Sequence, residues 1–392
     1  MQDKYLEFKL GAPDYVTVET EEERLVCQGG SYAVTAGSTT VEFEDAGEHE
    51  DIFVTSEDAV KCVKLRWNYK IPKSARFFGD AWERTYGDME WHGMSGNRYL
   101  PWYFLAKLSE KILCFGVKVR PSAMCYWQDT KGITLFLDVR CGNAGVQLKG
   151  RKLRAAQIVC MESQNAGSFE TAQEFCRRMC TDPIFPEFPV YGSNNWYYAY
   201  GDSSEEEILS DTDYILKLTE GVKNPPFMVI DDCWQEHHRL DEYNGGPWTK
   251  GNSKFPDMKG LAQKLVEKGV RPGIWVRLLL NEDEAIPDEW RISYNDCLDP
   301  SHPDALAYIR KDIERICDWG FTLIKHDFST FDLFGKWGFE ANLRDNTMEK
   351  WHFYDQGKTS AEIVKMLYQE VYDASRGNNA VIIGCNTIGH LG

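Results

Sequence analysis

Lys325 and Asp327 stand two positions apart at the end of an apolar segment and could carry out nucleophilic chemistry. If that segment is a strand, both side chains point to one side of it and His326 points to the other. A neighbouring lysine favours the ionised form of a carboxylate, and an ionised carboxylate can attack the anomeric carbon of a sugar. The same spacing also fits a salt bridge at a strand end, so these residues alone leave both interpretations open.

Two adjacent acids, Asp231 and Asp232, close another apolar segment. Their carboxylates could accept hydrogen bonds from sugar hydroxyls, although a solvated loop with a helix cap fits the same pattern. The nearby Cys233, His237 and His238 are of metal-binding types. No further ligand stands at the spacing of a zinc site, and the sequence therefore predicts neither a metal nor a cofactor.

Aromatic residues make up 13% of the chain and include 13 tryptophans. Large rings fill protein cores, but they also stack on the faces of pyranose sugars. Four tryptophans are candidates for such stacking, and each could equally belong to a core or to its rim: Trp196, Trp234, Trp248 and Trp275.

The elements that would position these residues begin after Pro189, where short apolar strands alternate with amphipathic helices. This alternation predicts a parallel sheet. The first helix is predicted to begin at Ser203, which would form a capping box with Glu206. A second helix follows Asp257, and two more precede the fourth and fifth strands. The predicted strands are Val190–Trp196, Phe227–Asp231, Arg271–Trp275, Thr322–Asp327 and Ala380–Cys385.

Polar and aromatic residues gather at the C-terminal end of nearly every predicted strand. Barrel enzymes carry their chemistry at that face, whereas no Gly-x-Gly-x-x-Gly turn supports a dinucleotide-binding fold. We therefore predict a (β/α)8 barrel of the TIM type. A complete barrel takes about 250 residues, so we expect this one, with about five βα units, to be incomplete. The strand-end residues are Asn194–Trp196, Asp231, Asp232, Trp275, Lys325–Asp327, Cys385 and Asn386.

The N-terminal part of the chain is rich in short strands in which β-branched and aromatic residues alternate with polar ones. Frequent turns between such strands predict a β-sandwich over residues 1–162. A helical, proline-containing linker is expected over 163–188 and the incomplete catalytic barrel over 189–392. The predicted strands of the sandwich are Tyr15–Glu19, Lys61–Trp67, Ile112–Val119, Ile133–Val139 and Leu153–Cys160.

The chain is acidic, with 61 Asp and Glu against 44 Lys and Arg and a formal charge of −17. Such a surface repels phosphate backbones and anionic lipids, which excludes nucleic acid and membrane partners. No apolar run reaches the roughly 18 residues of a membrane span, and the polar N-terminus does not resemble a signal peptide. Twelve scattered cysteines then suggest free thiols in a cytoplasmic protein.

Several motifs occur in the order in which one group of enzymes carries them. The sequence resembles the α-galactosidases of glycoside hydrolase families 27 and 36, and family 36 most. The segment Gly79–Gly87, including Asp80, Trp82, Arg84, Tyr86 and Gly87, also resembles the sandwich domain of family 36. The ordered motifs are Asn195-Trp196-Tyr197, Ile230–Trp234, Lys254-Phe255-Pro256, Gly273-Ile274-Trp275 and Ile324–Asp327.

The resemblance implies a retaining mechanism with Asp327 as the nucleophile and an oligosaccharide or glycoside as the substrate. Asp231 and Asp232 would bind hydroxyls of the terminal sugar, and Lys325 would contact the same ring. A loop near Asp80 and Trp82 would reach an active site of the same or a neighbouring subunit, which is consistent with a homo-oligomer. The remaining substrate-binding residues would be Trp196, Trp275, Cys385 and Asn386.

Two segments depart from the family pattern, namely Val276-Arg277-Leu278 and Gly384–Thr387. Both would lie near the sugar, so its identity stays open. The family's acid/base aspartate follows the sixth strand, whereas five barrel strands are predicted in this chain. We therefore expect the 392-residue chain alone to lack this residue and to be inactive. The leading hypothesis is a retaining α-glycosidase acting on α-galactosides. The alternatives are an inactive remnant or non-catalytic carbohydrate-binding protein, and another barrel hydrolase or transglycosylase with the same nucleophile.

Overall fold

A computed structural model describes residues 4–83, 89–96, 98–129, 131–164, 166–338, 340 and 351–392. The chain forms two compact units. The first unit comprises Met1–Pro183, Lys336–Lys365 and Ile388–Gly392, and the second comprises Ile184–Gly335 and Met366–Thr387. The first change of unit falls inside the predicted linker 163–188, whereas the predicted domain limits 1–162 and 189–392 stay a prediction.

Antiparallel strands build the first unit, together with helix α1 (Ser168–Met179). The strands are β1 (Tyr5–Glu7), β2 (Tyr15–Thr20), β3 (Arg24–Gln28), β4 (Ala33–Ala36), β5 (Thr39–Asp45), β6 (Glu50–Ser56), β7 (Val60–Trp67), β8 (Arg76–Gly79), β9 (Leu100–Pro101), β10 (Tyr103–Lys107), β11 (Lys111–Val117), β12 (Met124–Asp129), β13 (Ile133–Asp138) and β14 (Leu153–Gln164). Within the described ranges, they form an eight-stranded sheet, β4-β5-β6-β14-β11-β10-β8 with β1 beside β14, and a six-stranded sheet, β3-β2-β7-β13-β12-β9.

Alternation along the strands explains why these sheets bury one face. In β7, for example, Val63, Leu65 and Trp67 are buried while the residues between them are half-buried. Rings from the two sheets then meet: Trp127 of β12 lies 6.0 Å from Phe104 of β10 and 6.3 Å from Phe115 of β11, measured between ring centroids. The core of the first unit is therefore aromatic and is shared by both sheets.

The second unit contains a parallel sheet, as the alternation of strands and helices predicts. In its described part, five strands pair in chain order. They are β15 (Gly192–Asn194), β16 (Phe227–Ile230), β17 (Arg271–Val276), β18 (Leu323–His326) and β19 (Val381–Gly384). The helices are α2 (Trp196–Ala199), α3 (Glu205–Leu218), α4 (Met258–Lys268), α5 (Pro303–Asp318), α6 (Ser329–Phe334) and α7 (Ser360–Ser375), of which α7 begins in the first unit.

Two local predictions in the second unit are wrong. The first strand ends at Asn194, and Trp196 begins the short helix α2 because the Asn194 side chain accepts a hydrogen bond from the Trp196 N–H and turns the chain. Helix α3 is capped by Ser204 rather than by Ser203, since the Ser204 hydroxyl accepts from the Glu207 N–H at 3.3 Å.

Ser204→Ala should therefore lower the free energy of unfolding by about 1 kcal/mol, the usual effect of losing a helix N-cap. Ser203→Ala is the matched control. The Ser203 hydroxyl is buried and makes no hydrogen bond in the described structure, so its removal should leave stability unchanged or slightly higher. Urea unfolding of both variants measures the difference, and equal losses would contradict the assignment of the cap to Ser204.

Candidate active site

Neighbouring parallel strands bring most of the sequence-predicted site residues of the second unit together. Trp275 of β17 pairs in register with Lys325 of β18, and the Asp327 N–H donates to the Val276 carbonyl oxygen at 3.0 Å. Because the C-terminal ends of adjacent parallel strands lie at one edge of a sheet, the loops that follow them share that edge. The resulting cluster, called the strand-end cluster below, contains Asp231, Asp232, Trp275, Lys325, Asp327, Cys385 and Asn386.

Asp327 is buried and receives three N–H donors on its carboxylate. The Trp275 Nε1–H donates to Oδ2 at 2.9 Å, and the Asn386 side-chain amide donates to Oδ1 at 2.8 Å. The backbone N–H of Phe328 donates to Oδ1 at 2.7 Å. Hydrogen bonds to a charged acceptor are the strong ones, so these donors hold the carboxylate in one orientation.

Lys325 forms its ion pair with Asp231, with 2.7 Å between Nζ and Oδ2. Burial works against the charge of Lys325, but the Asp231 carboxylate outweighs it and the pKa of Lys325 is raised. Asn194 donates to the same Asp231 oxygen at 2.6 Å, while the Asp231 N–H is held by Asn195 at 2.8 Å. The lysine next to the predicted nucleophile thus neutralises a different carboxylate, which follows β16 and lies two strands away from β18 in the sheet order.

Asp232 presents one oxygen to the protein and keeps the other available. Its Oδ1 accepts from the Gln235 side-chain amide at 2.8 Å and lies 3.4 Å from Nδ1 of His238. Its Oδ2 has no hydrogen-bond partner among the described residues, although the residue as a whole is buried. An ionised carboxylate oxygen in this state can accept a hydroxyl of a ligand.

Cys385 and Asn386 come directly after β19 and close the cluster. Burial first, and then the charge of Asp327, raise the pKa of the Cys385 thiol to about 12. The thiol is therefore neutral at physiological pH and cannot serve as a nucleophile. Asn386 has a φ of 49°, and its carbonyl oxygen accepts from the N–H of Thr330 at 3.2 Å and the hydroxyl at 3.0 Å. These bonds hold the unusual backbone that aims its amide at Asp327.

The comparisons with known proteins agree on one group. No protein-family model matches the chain. An α-galactosidase from Cyamopsis tetragonoloba is 23% identical over 168 residues, 43% of this chain and 36% of the relative. An α-galactosidase from Thermus thermophilus in complex with stachyose matches with a TM-score of 0.57 at 14% identity, over 91% of this chain and 75% of that chain. One from Lactobacillus brevis matches with a TM-score of 0.55 at 13% identity, over 97% and 56%. The chain has an α-galactosidase fold.

The sequence similarity to these α-galactosidases covers a limited part of each relative. The chain spans about a third of the length of the curated relatives it matches, 36% for that of Cyamopsis tetragonoloba and 29% for one from Oryza sativa. The T. thermophilus enzyme was also solved with p-nitrophenyl α-D-galactopyranoside. That enzyme therefore binds both stachyose and p-nitrophenyl α-D-galactopyranoside.

The α-galactosidase fold also contains a buried ion pair beside the strand-end cluster, which was not predicted from the sequence. Arg277 follows β17 and contacts Asp332 of α6, with 2.6 Å between Nη2 and Oδ1 and 3.1 Å from Nε to both carboxylate oxygens. Its guanidinium lies 4.3 Å from the ring centroid of Phe328. Gln235 was also missed. The only sequence signals are the family departure at Arg277 and the three-residue spacing from Asp232 to Gln235.

The tryptophans near the cluster are mostly core residues. Trp234, Trp248 and Trp275 are almost fully buried, and their ring centroids lie 5.5 Å and 5.9 Å apart in that order. Trp275 contributes its indole N–H to Asp327 instead of an open ring face. The ring of Trp196 packs against Tyr200, and among the described residues no hydrogen bond or ring contact joins its side chain to the strand-end cluster.

Asp80 and Trp82 belong to the first unit, and their predicted role stays a prediction. Both are buried, and the Trp82 ring meets that of Trp102 edge-on at 4.8 Å. The rest of that motif, Arg84, Tyr86 and Gly87, lies outside the described residues.

The residues of metal-binding type are engaged in other contacts. His237 lies 3.0 Å from Glu282, and the Cys233 thiol donates to the Asp231 carbonyl oxygen at 3.5 Å. In the part of the chain that the structure describes, no group of three His, Cys, Asp or Glu is placed to hold a metal ion. Over the same residues, no helix combines the length and apolar character that a membrane span needs.

Proposed function

We propose that the chain carries the nucleophile and the sugar-binding groups of a retaining glycoside hydrolase that acts on terminal α-galactosides. The observation that carries the proposal is the Asp327 carboxylate, which three N–H donors hold at the end of β18 beside the Asp231–Lys325 pair. The similar proteins from Cyamopsis tetragonoloba and Oryza sativa are α-galactosidases, which supports α-galactose as the terminal sugar of the substrate. Stachyose and p-nitrophenyl α-galactoside, which the T. thermophilus enzyme binds, support an oligosaccharide or glycoside as the substrate class.

In this proposal Asp327 attacks the anomeric carbon of the bound galactoside. A bond forms between a carboxylate oxygen and the anomeric carbon as the bond to the leaving oxygen breaks, and water later releases the sugar with its configuration retained. His326 takes no part in proton transfer. Its ring is buried against Tyr368, and burial lowers its pKa to about 4.

The Asp231–Asp232 pair would bind the sugar hydroxyls. Asp231 is occupied by Lys325, Asn194 and the Asp232 N–H, so it orients the lysine toward the sugar ring. Asp232 has the available oxygen. The same arrangement would also serve a carbohydrate-binding protein without turnover, the alternative that the activity measurements below distinguish.

In the full-length protein, Asp232→Asn should lower kcat/KM for aryl α-galactosides roughly 10- to 100-fold, mainly through KM. A hydrogen bond to a charged acceptor contributes about 1.5–3 kcal/mol, and asparagine keeps the acceptor that Gln235 uses. Steady-state kinetics measure the effect. Asp241→Asn is the matched control, because it makes the same change at an exposed position of the second unit. A wild-type KM in Asp232→Asn would contradict the hydroxyl-binding role.

We also propose that the first unit is a β-sandwich and that the second is part of a (β/α)8 barrel. The rings of Phe104, Phe115 and Trp127, which meet between the two sheets of the first unit, support a β-sandwich. The five parallel strands support part of a (β/α)8 barrel. All twelve cysteines are free thiols, which supports a reducing, cytoplasmic location. Assembly into a homo-oligomer stays a prediction.

The decisive experiment is an activity assay of the full-length protein with p-nitrophenyl α-D-galactopyranoside. We expect hydrolysis that releases α-galactose first, as proton NMR of the early product would show, and no hydrolysis of the β-anomer. Galactose binding without turnover of any aryl α-glycoside would favour the carbohydrate-binding alternative. Initial release of β-galactose would contradict the retaining mechanism.

A further inference from the structure

A cavity of about 180 Å³ in the first unit is lined by an excess of cations. This is unexpected in a chain whose formal charge is −17. The lining comes from residues 118–122, from residues 151–157 around the start of β14 and from the first half of α7, so three segments of the chain contribute to it. Its charged residues are Lys118, Arg120, Arg151, Arg154, Lys365 and a single acid, Glu362.

The single acid is already used by one of the cations. Arg151 binds Glu362 through both guanidinium nitrogens, with both N–O distances at 2.9 Å. Lys118 and Arg154 have no carboxylate partner within the described residues. The cavity therefore keeps most of its positive charge after the internal pair has been counted.

Lys365 is the most constrained of these cations. Its ammonium is half-buried and donates to the Arg120 carbonyl oxygen at 3.1 Å and to the Ser122 hydroxyl at 2.9 Å. Burial is the main cause that lowers its pKa to about 8, and the charges of Arg120 and Arg154 act in the same direction against the opposing charge of Glu362. An anion in the cavity would relieve this repulsion.

The backbone also supports a built site. Arg120 has a φ of 61°, in a region that side-chain-bearing residues seldom adopt. Its N–H donates to the His390 carbonyl oxygen at 2.8 Å, which helps to hold that conformation. The β14 register shifts between Arg154 and Ala156, and such bulges re-aim side chains. Both irregularities fall at cations of the cavity.

We propose that this cavity binds a small tetrahedral oxyanion, namely inorganic phosphate or the phosphate group of a phosphorylated sugar. Guanidinium groups match the geometry of phosphate oxygens, and Lys365 supplies a third ammonium N–H beyond the two that the protein uses. The site lies wholly in the first unit and does not depend on the proposed glycosidase activity. A phosphorylated product or precursor of carbohydrate breakdown and free phosphate share the same recognition chemistry.

The test is calorimetry and thermal denaturation of the full chain with inorganic phosphate, galactose 1-phosphate and galactose, all at one ionic strength set with chloride. We expect saturable phosphate binding and a rise of the melting temperature. Arg154→Gln and Lys365→Gln should each weaken binding roughly tenfold or more, as loss of a charge-assisted hydrogen bond does. Arg154 is exposed, so its variant tests the site even if Lys365→Gln fails to fold.

Lys311→Gln, which removes one charge from an exposed position of the second unit, is the matched control and should bind like the parent. If galactose 1-phosphate binds and free phosphate does not, the site is specific for a phosphorylated sugar. If the two ligands bind with equal affinity, the site recognises the phosphate group itself. The inference is overturned if neither ligand binds saturably, or if Lys311→Gln weakens binding as much as Arg154→Gln does.

Discussion

In the full-length protein, Asp327→Asn is expected to lower kcat for aryl α-galactosides by a factor on the order of 10⁴–10⁶, as the loss of a catalytic nucleophile does. Asparagine keeps the shape of the side chain but has no negative oxygen to attack the anomeric carbon. Galactose should still bind within about threefold of the parent affinity, because Asp231, Asp232 and Lys325 are unchanged. Steady-state kinetics and calorimetry with galactose measure the two effects separately.

The same substitution should also reduce stability, for a reason visible in the structure. Both oxygens of Asp327 accept hydrogen bonds, whereas an asparagine amide has one acceptor oxygen and an NH₂ group that can only donate. Its NH₂ group must then face either the Trp275 indole N–H or the donors on the other side. Leaving a buried donor unsatisfied costs about 1–3 kcal/mol, and a urea titration would measure it.

External azide separates a nucleophile from a residue that only binds the sugar. In Asp327→Gly, azide can enter the vacated space and attack the anomeric carbon of 2,4-dinitrophenyl α-galactoside. A carbon–nitrogen bond forms, the phenolate leaves without needing a proton, and the product is β-galactosyl azide. Turnover of Asp327→Asn within tenfold of the parent, with no azide product from Asp327→Gly, would falsify the assignment.

Much of this site could be anticipated from strand periodicity. The predicted strand Phe227–Asp231 is observed as Phe227–Ile230, and Thr322–Asp327 as Leu323–His326. Short apolar runs that end in polar residues locate strand ends to within about two residues, and parallel pairing then brings consecutive ends together. Asp231, Lys325 and Asp327 could therefore be placed at one edge of a sheet before any coordinates were known.

Side-chain pairing within the cluster could not be anticipated in the same way. The sequence places Lys325 next to Asp327, yet the lysine pairs with Asp231, which is 94 positions away. Two residues on one strand point to the same side but stand apart along it, while side chains of different strands can converge. The carboxylate that the lysine contacts depends on strand register and on the hydrogen-bond donors that each carboxylate already has. Asp327 already accepts from three donors.

Trp196 shows a second limit of local patterns. The run Val190–Trp196 reads as one apolar strand, but the Asn194 side chain accepts from the Trp196 N–H and begins a helical turn. Asparagine side chains compete with the backbone for its hydrogen bonds. Periodicity distinguishes only apolar from polar positions, so it does not reveal that competition.

The ion pair between Arg277 and Asp332 lies outside the predicted site. Substituting Arg277 should nevertheless have a large effect on that site. Arg277 lies against the ring of Phe328, and the Phe328 N–H is one of the three donors to Asp327. The pair therefore helps to fix the backbone that orients the proposed nucleophile. Arg277 is a positioning residue in this assignment.

Arg277→Met should destabilise the protein by about 3–5 kcal/mol, since it leaves a buried carboxylate without its partner. Arg277→Lys keeps the charge but loses the planar fork, and it is the milder variant if Arg277→Met does not fold. In Arg277→Lys, kcat for aryl α-galactosides should fall roughly 10- to 100-fold with little change in KM, because a misplaced reactive group costs rate and not binding. A purely structural role would leave kcat unchanged at temperatures where the variant is folded.

The stability deficit of Arg277→Met should depend on pH in a direction that the structure determines. Burial raises the pKa of Asp332, and Arg277 opposes that rise, so the pKa must rise further when the arginine is removed. A folded state with a raised carboxyl pKa binds its proton more tightly than the unfolded chain, whose aspartates titrate near about 3.9. The deficit relative to the parent should therefore be smallest near pH 4 and grow as the pH rises through the folded pKa. Urea unfolding of both proteins between pH 4 and pH 8 measures it, and a deficit that is constant over that range would show that Asp332 does not carry the unpaired charge.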